Sequence, residues 1–181
     1  NHLALLAAPG RFSNLRYDTQ TAFAPVGVVN SGPMILIARK TIPGTTSNDM
    51  ISWIKDTGAK ANIGHGGIGT NSHLCAVLMG NALGFKPTFV AYRGSAPAIN
   101  DLAGGQIDLL WDQASNGIPH AQGGTVRAIA VTSSARMKQV PDVPTTKELG
   151  LPDISYTLWH GLYVAKGTPK DVIEKLNGAL R

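Results

Sequence analysis

Apolar positions change their spacing repeatedly along this chain. Short, nearly continuous runs give way to residues three and four apart, which predicts strands followed by helices. Phe23–Val29 and Met34–Arg39 are short and β-rich, and predict two strands separated by a turn at Ser31-Gly32-Pro33. From Asn48 to Thr57, Met50, Ile51 and Ile54 share one helical face, with Thr45 or Ser47 placed to cap it. Ala61–Gly64 predicts a strand. After a glycine-rich turn, a helix begins at Thr70 or Asn71 and ends at Gly84, its apolar face formed by Leu74, Val77 and Leu78 with Cys75 at the margin. The plan then repeats: strand Thr88–Tyr92, turn Arg93-Gly94-Ser95, helix Ala96–Ala103, and strand Gln106–Trp111 leading to Asp112. Val126–Thr132 is apolar almost throughout, as a buried parallel strand would be. Pro141–Leu151 predicts a loop with a short helix from Thr145, Leu158–Val164 a last strand, and Pro169 the N1 position of a helix continuing through Asp171–Arg181. Strands alternating with helices predict an open α/β sheet, and no internal repeat or low-complexity segment interrupts it.

Composition narrows the class. The 181 residues suffice for one good core, or one complete domain with pieces of another. With 43% hydrophobic and 15% charged residues the chain is an ordinary globular protein and not a disordered tail. A single cysteine, Cys75, excludes a disulfide-stapled fold. No apolar run approaches the roughly 20 residues that span a bilayer. Leu3–Ala8 is too short for that and lacks the cationic flank of a signal peptide. An opening Asn1 and a helical pattern still running at Arg181 are what a segment of a longer protein would show. The formal charge is +5, and no Asp or Glu occurs from Thr57 through Asn100, where Lys60, Lys86 and Arg93 stand. The basic residues are scattered and not interleaved with aromatics, which argues against a nucleic-acid binder. An acid-free stretch rich in Gly, Ser, Thr and Asn suits a small anion; a mildly basic surface is the plainer alternative.

Candidate chemistry gathers at two strand-to-helix junctions. In Ile63-Gly64-His65-Gly66-Gly67-Ile68-Gly69-Thr70-Asn71-Ser72-His73 the glycines free the backbone to approach a ligand, and the orphan amides of a helix start favour an anion. Thr70 and Ser72 are expected to add hydroxyl donors there. The second junction is Tyr92-Arg93-Gly94-Ser95. Two such turns in consecutive β–α units belong at one carboxyl edge of a parallel sheet, where ligands of open α/β folds sit. Asp112, after the next strand, would reach the same edge, or serve as an ordinary turn residue. A tight turn that merely packs helix on sheet would use the same glycines. Gly64, Gly66 and Gly69 also spell GxGxxG, which admits an NADP-dependent oxidoreductase with Arg93 facing a 2′-phosphate. The acid that a dinucleotide's ribose needs after the next strand is missing.

Enzymatic and metal readings are weaker. His65 and the helical His73–x–Cys75 pair are not expected to face one another. His73 is expected to brace the glycine loop and Cys75 to be core. Ser72 lacks a nucleophile-elbow pattern. Trp53 and Trp111 suit packing, and Trp159 suits packing or ligand contact. No cofactor and no metal are expected.

The blocks Gly64–Leu74, Tyr92-Arg93-Gly94-Ser95-Ala96-Pro97-Ala98-Ile99, Leu102–Asp108, Val126–Thr132 and Pro141-Asp142-Val143-Pro144-Thr145 together resemble, in order and spacing, the Bug/TctC receptors of tripartite tricarboxylate transporters. The similarity runs from about Tyr17 to Arg181. It implies a two-lobed type II periplasmic binding protein, here a fragment with one lobe nearly complete. Residues 1–42 would hold part of the first lobe and a hinge strand. Residues 43–158 would form the second, ligand-binding lobe, and 159–181 a return hinge strand with the start of a first-lobe helix. It also implies a periplasmic, non-enzymatic receptor that takes a small carboxylate (a di- or tricarboxylate, an acidic amino acid or an aromatic acid) and passes it to integral-membrane subunits. By the same resemblance Gly66, Gly67, Gly69, Thr70, Ser72 and His73 form a carboxylate-binding turn, Tyr92, Arg93, Gly94 and Ser95 its neighbour, and Asp112 a further pocket residue. Arg93 stands where family members commonly have Lys.

Overall fold

In a computed structural model, residues 8–11 and 13–180 are described; Leu3–Ala7 and the closing Arg181 of the expected last helix lie outside them. The chain separates into two compact units, 1–31 with 158–181 and Gly32–Thr157. Met34–Lys40 belongs to the larger unit.

In the smaller unit, helix α1 (Ala8–Arg11) precedes strand β1 (Phe23–Ala38), which β6 (Thr157–Ala165) joins. Helix α6 (Lys170–Leu180) lies against β1 at Gly27, where a Cβ would meet Leu180 Cδ1 at 3.2 Å. Asn177 Nδ2 also donates to Val26 O at 2.6 Å. Pro169 stands just ahead of α6 and not inside it, its carbonyl accepting from Ile173 N–H.

The expected turn at Ser31-Gly32-Pro33 is absent, because β1 runs unbroken for 16 residues. Pro33 lacks an amide to donate, yet pairing with β4 and β5 begins only at Met34 and Ile35, so it costs neither of these ladders a bond. The larger unit adds β2 (Asn62–His65), β3 (Thr88–Ala91), β4 (Leu109–Gln113) and β5 (Arg127–Val131), in the order β3-β2-β4-β1-β5. β2 pairs β3 and β4 in parallel, whereas β1 is antiparallel to both β4 and β5. The apolar run ahead of Thr132 is thus a buried strand with an antiparallel partner, since burial on both faces gives a continuous pattern in either direction. Likewise Met34–Ala38 is fully buried, with Ile35 and Ile37 on one face and Met34, Leu36 and Ala38 on the other.

The helices are α2 (Ser47–Thr57), α3 (Asn71–Leu83), α4 (Ser95–Ala103) and α5 (Ala114–Gln122). Ile35, Ile37, Leu110, Val126 and Val131 pack with Ala98, Ile99 and Leu102 of α4 and Ala114 and Ile118 of α5. Helix α5 was not anticipated; Gly117 and Pro119 fall inside it and hide its period. Gly117 is required for closeness, as a Cβ there would lie 2.5 Å from Ile35 Cγ2. In α3 the buried positions after Asn71 and Ser72 are Cys75, Ala76, Met79 and Gly80, while Leu74, Val77 and Leu78 are half-buried. The helix is apolar all round, so periodicity does not choose its inner face; small residues do, letting it sit close. The segment at Thr145 makes one turn bracketed by Glu148 and not a helix.

Thr46, not Thr45 or Ser47, caps α2. Its Oγ1 accepts from Asp49 N–H at 3.2 Å while Asp49 Oδ2 accepts from Thr46 N–H at 2.8 Å, a reciprocal box with Asp in the Glu position. Thr46→Ala is expected to lower stability by about 1 kcal/mol in urea unfolding. The hydrogen bond from Thr46 N–H is the main reason the Asp49 pKa falls from 3.8 to about 2. The carboxylate's contribution is therefore present above pH 3.8 and lost as pH falls through about 2. A carboxyl titration by NMR is expected to find that low midpoint, and Asp49→Asn to remove this part of the acid sensitivity.

Candidate ligand-binding site

Because β2, β3 and β4 run the same way, their carboxyl ends share an edge. His65 closes β2, residues 66–70 turn, and α3 begins with Thr70 extended at its cap. Gly67 (φ +123°) and Gly69 (φ +76°) occupy backbone space that suits glycine. Gly66 lies against the second junction, where a Cβ would make ordinary contact with Gly94 Cα at 3.5 Å. That approach brings the two junctions together, and Tyr92 N–H donates to His65 O at 2.8 Å beside it. Gly94, at φ +111°, caps α4.

Part of the expected donor set is spent internally. Gly66 N–H donates to Ser72 Oγ at 3.0 Å, and Gly67 N–H donates to His65 Nδ1 at 3.1 Å. Thr70 N–H donates to Gly67 O at 3.2 Å. Other amides one step further on are unspent. No side chain caps α3, and among the described residues Asn71, Ser72 and His73 N–H have no acceptor. Leu74 N–H is the first to meet a helix carbonyl, Thr70 O at 3.0 Å. Helix α4 likewise has no side-chain cap, and Ser95 and Ala96 N–H have no acceptor among the described residues. Five amides from two helix starts are thus available at one edge.

The hydroxyls differ from expectation. Thr70 Oγ1 donates to Gly67 O at 2.6 Å, so the 3.0 Å contact between Thr70 Oγ1 and Ser72 Oγ must use the Ser72 proton. Both protons end inside the loop, and both oxygens offer only lone pairs outward. Ser95 Oγ donates to Asp112 Oδ1 at 2.8 Å.

Asp112 lies within β4, not beyond it, opposite Ile35 and 2% exposed. Its carboxylate accepts from Ser95 Oγ and Gln113 N–H on Oδ1 and from Asn116 Nδ2 on Oδ2, at 2.8, 2.8 and 2.6 Å. Burial raises its pKa, opposed by these three hydrogen bonds and the charge of His120. With both oxygens occupied, Asp112 orders the edge from behind. Tyr92 is similarly committed: its ring packs on the α4–α5 core and its hydroxyl donates to Asp101 Oδ2 at 2.8 Å. Arg93 is exposed, with no ion-pair partner among the described residues.

His65 and His73, expected not to face one another, are in edge contact with ring centroids 5.0 Å apart, because the end of β2 and the first turn of α3 adjoin. His73 also packs on Phe89 at 4.7 Å, and its buried Nδ1 has no hydrogen-bond partner. Burial and the neighbouring His65 lower its pKa. Among the described residues no three His, Cys, Asp or Glu side chains cluster as metal ligands. Cys75 is buried, its thiol pushed up to about 12.

Two participants were missed. Tyr156 hydroxyl donates to Asn71 Oδ1 at 2.7 Å, fixing the first residue of α3 from a distant segment. Asn116 was legible only as the residue four beyond Asp112. In the apparent GxGxxG, Gly64 serves the core: a Cβ there would be 2.5 Å from Ile107 Cδ1. A groove of about 770 Å³ lies at the opposite edge, around Thr46, Arg127, Arg136 and Glu148. Its cations are already engaged, Arg127 by the carbonyls of Ile42, Gly44 and Thr45 and Arg136 by Glu148.

Residues 3–181 match the model of the tripartite tricarboxylate transporter family receptor, TctC. A protein from the TAR-I ttuE–ttuC′ intergenic region of Agrobacterium vitis is 38% identical over 180 residues, covering 99% of this chain and 52% of that protein. Among solved structures, the periplasmic binding protein BugD gives a TM-score of 0.90 at 38% identity, over 98% of this chain and 60% of its own. MatC from Rhodopseudomonas palustris, with malate bound, gives 0.86 at 35% identity, over 96% of this chain and 59% of its own. The chain spans about half the length of the curated relatives it matches.

Proposed function

Since this chain belongs to the TctC family of tripartite tricarboxylate transporter receptors, we propose that it captures a small carboxylate outside the cytoplasm and delivers it to membrane transport subunits, without chemistry of its own. One feature supports the ligand assignment: at the starts of α3 and α4, which lie at one sheet edge, five amides have no acceptor among the described residues. A carboxylate accepting them gains charge-assisted hydrogen bonds of about 1.5–3 kcal/mol each. Dipole attraction adds about 0.3–1 kcal/mol per helix start. Donated hydrogen bonds therefore set the affinity, and Arg93 contributes a general positive field. Gly32–Thr157 acts as the ligand-gripping lobe in this reading, and closure of a second lobe supplies the remaining contacts. MatC, the structural neighbour with bound malate, supports a small carboxylate as the ligand class.

An NADP-binding role draws no support from the edge. One of the three fingerprint glycines is in the core, and the acid expected after the next strand is absent. The test is mass spectrometry of ligand carried through purification of the full-length receptor, beside a thermal-shift panel of mono-, di- and tricarboxylates with NADPH. Stabilisation by at least one carboxylate and none by NADPH is expected. The reverse pattern defeats the proposal.

A further inference from the structure

We infer that His65 is a positioning residue that makes the glycine turn proton-sensitive: the turn keeps its observed form only while the His65 ring is neutral, and protonation at Nδ1 releases it. The contact behind this is Gly67 N–H donating to His65 Nδ1 at 3.1 Å. A ring nitrogen accepts only when it bears no proton, so the neutral ring's single proton sits on Nε2. Once Nδ1 is protonated, two N–H groups confront each other across that distance, and either the ring or the turn must move. Ring movement is resisted. His65 is 2% exposed and packed edgewise against His73 and Phe89, with centroids 5.0 and 5.4 Å away. The turn is held less firmly, with Ile68 at its tip 63% exposed. Its displacement passes through Gly67, whose carbonyl accepts from Thr70 N–H and Thr70 Oγ1, to the cap of α3.

The elements around His65 offer an imidazolium no counter-charge. No Asp or Glu occurs from Thr57 through Asn100. Helix α3 brings His73, whose charged form burial and His65 disfavour, and the buried thiol of Cys75, pushed up to about 12. Strand β3 carries no titratable side chain, and beyond its end stand Tyr92 and the exposed cation Arg93. Helix α4 carries Asp101, engaged by the Tyr92 hydroxyl, and β4 carries Asp112, both of whose oxygens are taken by Ser95, Gln113 and Asn116. A charge on a ring this buried and unpaired is costly, and the positive end of the α3 dipole opposes it further. Opening the turn to water is the way out. Histidine ordinarily changes charge between about pH 5 and 8. In the receptor reading above, on which this consequence rests, acidification loosens the turn and lowers carboxylate affinity.

The test is NMR of the ligand-free, full-length receptor between about pH 8 and 5. The Nε2–H tautomer of His65 is expected at the upper end, and the Gly67 and Thr70 amide signals are expected to shift with the same midpoint as the His65 ring. His65→Asn offers a side-chain oxygen to the same amide, as asparagine does in Asx turns, and takes up no proton; its Gly67 signal is expected to stay fixed. His73→Phe keeps a ring beside Phe89 and removes the other imidazole, and there the coupled titration is expected to persist. An Nδ1–H tautomer at the upper end, a Gly67 amide that does not follow His65, or a shift that survives His65→Asn overturns the proton link. A second arm titrates whichever mono-, di- or tricarboxylate stabilises the receptor most. Across the same range the parent is expected to lose about tenfold or more affinity relative to His65→Asn, the scale of one hydrogen bond. An equal loss in the two proteins overturns the effect on affinity. Failure of every carboxylate to bind overturns the receptor reading, and the ligand-free spectra still decide the role of His65.

Discussion

Gly94→Ala is expected to weaken carboxylate binding by the full-length receptor about a hundredfold or more, while lowering its thermal midpoint by only a few degrees. Gly94 sits at φ +111° and ψ −179°, an extended left-handed conformation that is essentially glycine-only. No heavy atom lies within 4 Å of a Cβ built there, so the substitution strains the backbone without colliding with anything. Relief comes by rotating the peptide units at the start of α4. That moves the Ser95 and Ala96 amides off the shared edge and shifts the turn against which Gly66 is packed. Losing two charge-assisted hydrogen bonds costs about 3 kcal/mol even at the low end of their range, or roughly two decades of dissociation constant. The backbone strain itself is about 1–3 kcal/mol, within the stability of an ordinary domain. Gly124→Ala is the control, because Gly124 also has positive φ (+65°) and open space around it but follows α5, away from the edge. Titration calorimetry and urea unfolding on both variants separate the effects. Equal binding losses in the two, or none in Gly94→Ala, remove the α4 start from the site.

The sequence exposed the junctions more readily than their wiring. Gly67, Gly69 and Gly94 stood out because positive φ demands glycine, and a demand of that kind is written in single residues. Strand direction was less visible. Val126–Val131 reads the same whether its neighbour runs with it or against it, and only the register with β1 fixes the answer. The two short strands expected around Pro33 are one strand, since a proline interrupts a ladder only where a partner needs its amide. Helix α5 escaped notice because Gly117 and Pro119 both disfavour helix, and the packing of Gly117 on Ile35 outweighs that propensity. Least legible of all was proton ownership at the edge. Thr70, Ser72 and Ser95 were recognisable as hydroxyls, but whether each donates outward depends on Gly67 O and Asp112 Oδ1, positions set only by the folded backbone. Tyr156, 85 residues from its partner Asn71, had no local signal.

The second large effect concerns stability, and it belongs to Thr132. This residue, 3% exposed, stands where β5 ends beside the start of the buried stretch of β1. Its Oγ1 accepts from Met34 N–H at 2.9 Å and donates to Tyr156 O, while its own N–H donates to Met34 O at 3.0 Å. Valine fills the same volume, so Thr132→Val opens no cavity; what it removes is the partner of two backbone groups. Met34 N–H, on a residue 1% exposed, is left in the core without an acceptor, and the Tyr156 carbonyl loses this donor. At about 1–3 kcal/mol for each such group, Thr132→Val is expected to lower unfolding stability by about 2–5 kcal/mol. That is a large share of the 5–15 kcal/mol typical of a domain. Thr132→Ser keeps the hydroxyl and is expected to stay within about 1.5 kcal/mol of the parent, the cost of a lost methyl contact. The same change reaches the binding edge, because the Tyr156 hydroxyl holds Asn71 Oδ1 at 2.7 Å. Loosening the Tyr156 segment frees the first residue of α3, and carboxylate affinity in Thr132→Val is expected to fall severalfold even where the protein remains folded. Urea unfolding with an unchanged denaturant slope, together with titration well below the transition, measures both effects. A Thr132→Val protein as stable as its serine counterpart would mean that the hydroxyl does not bridge β1 to the Tyr156 segment.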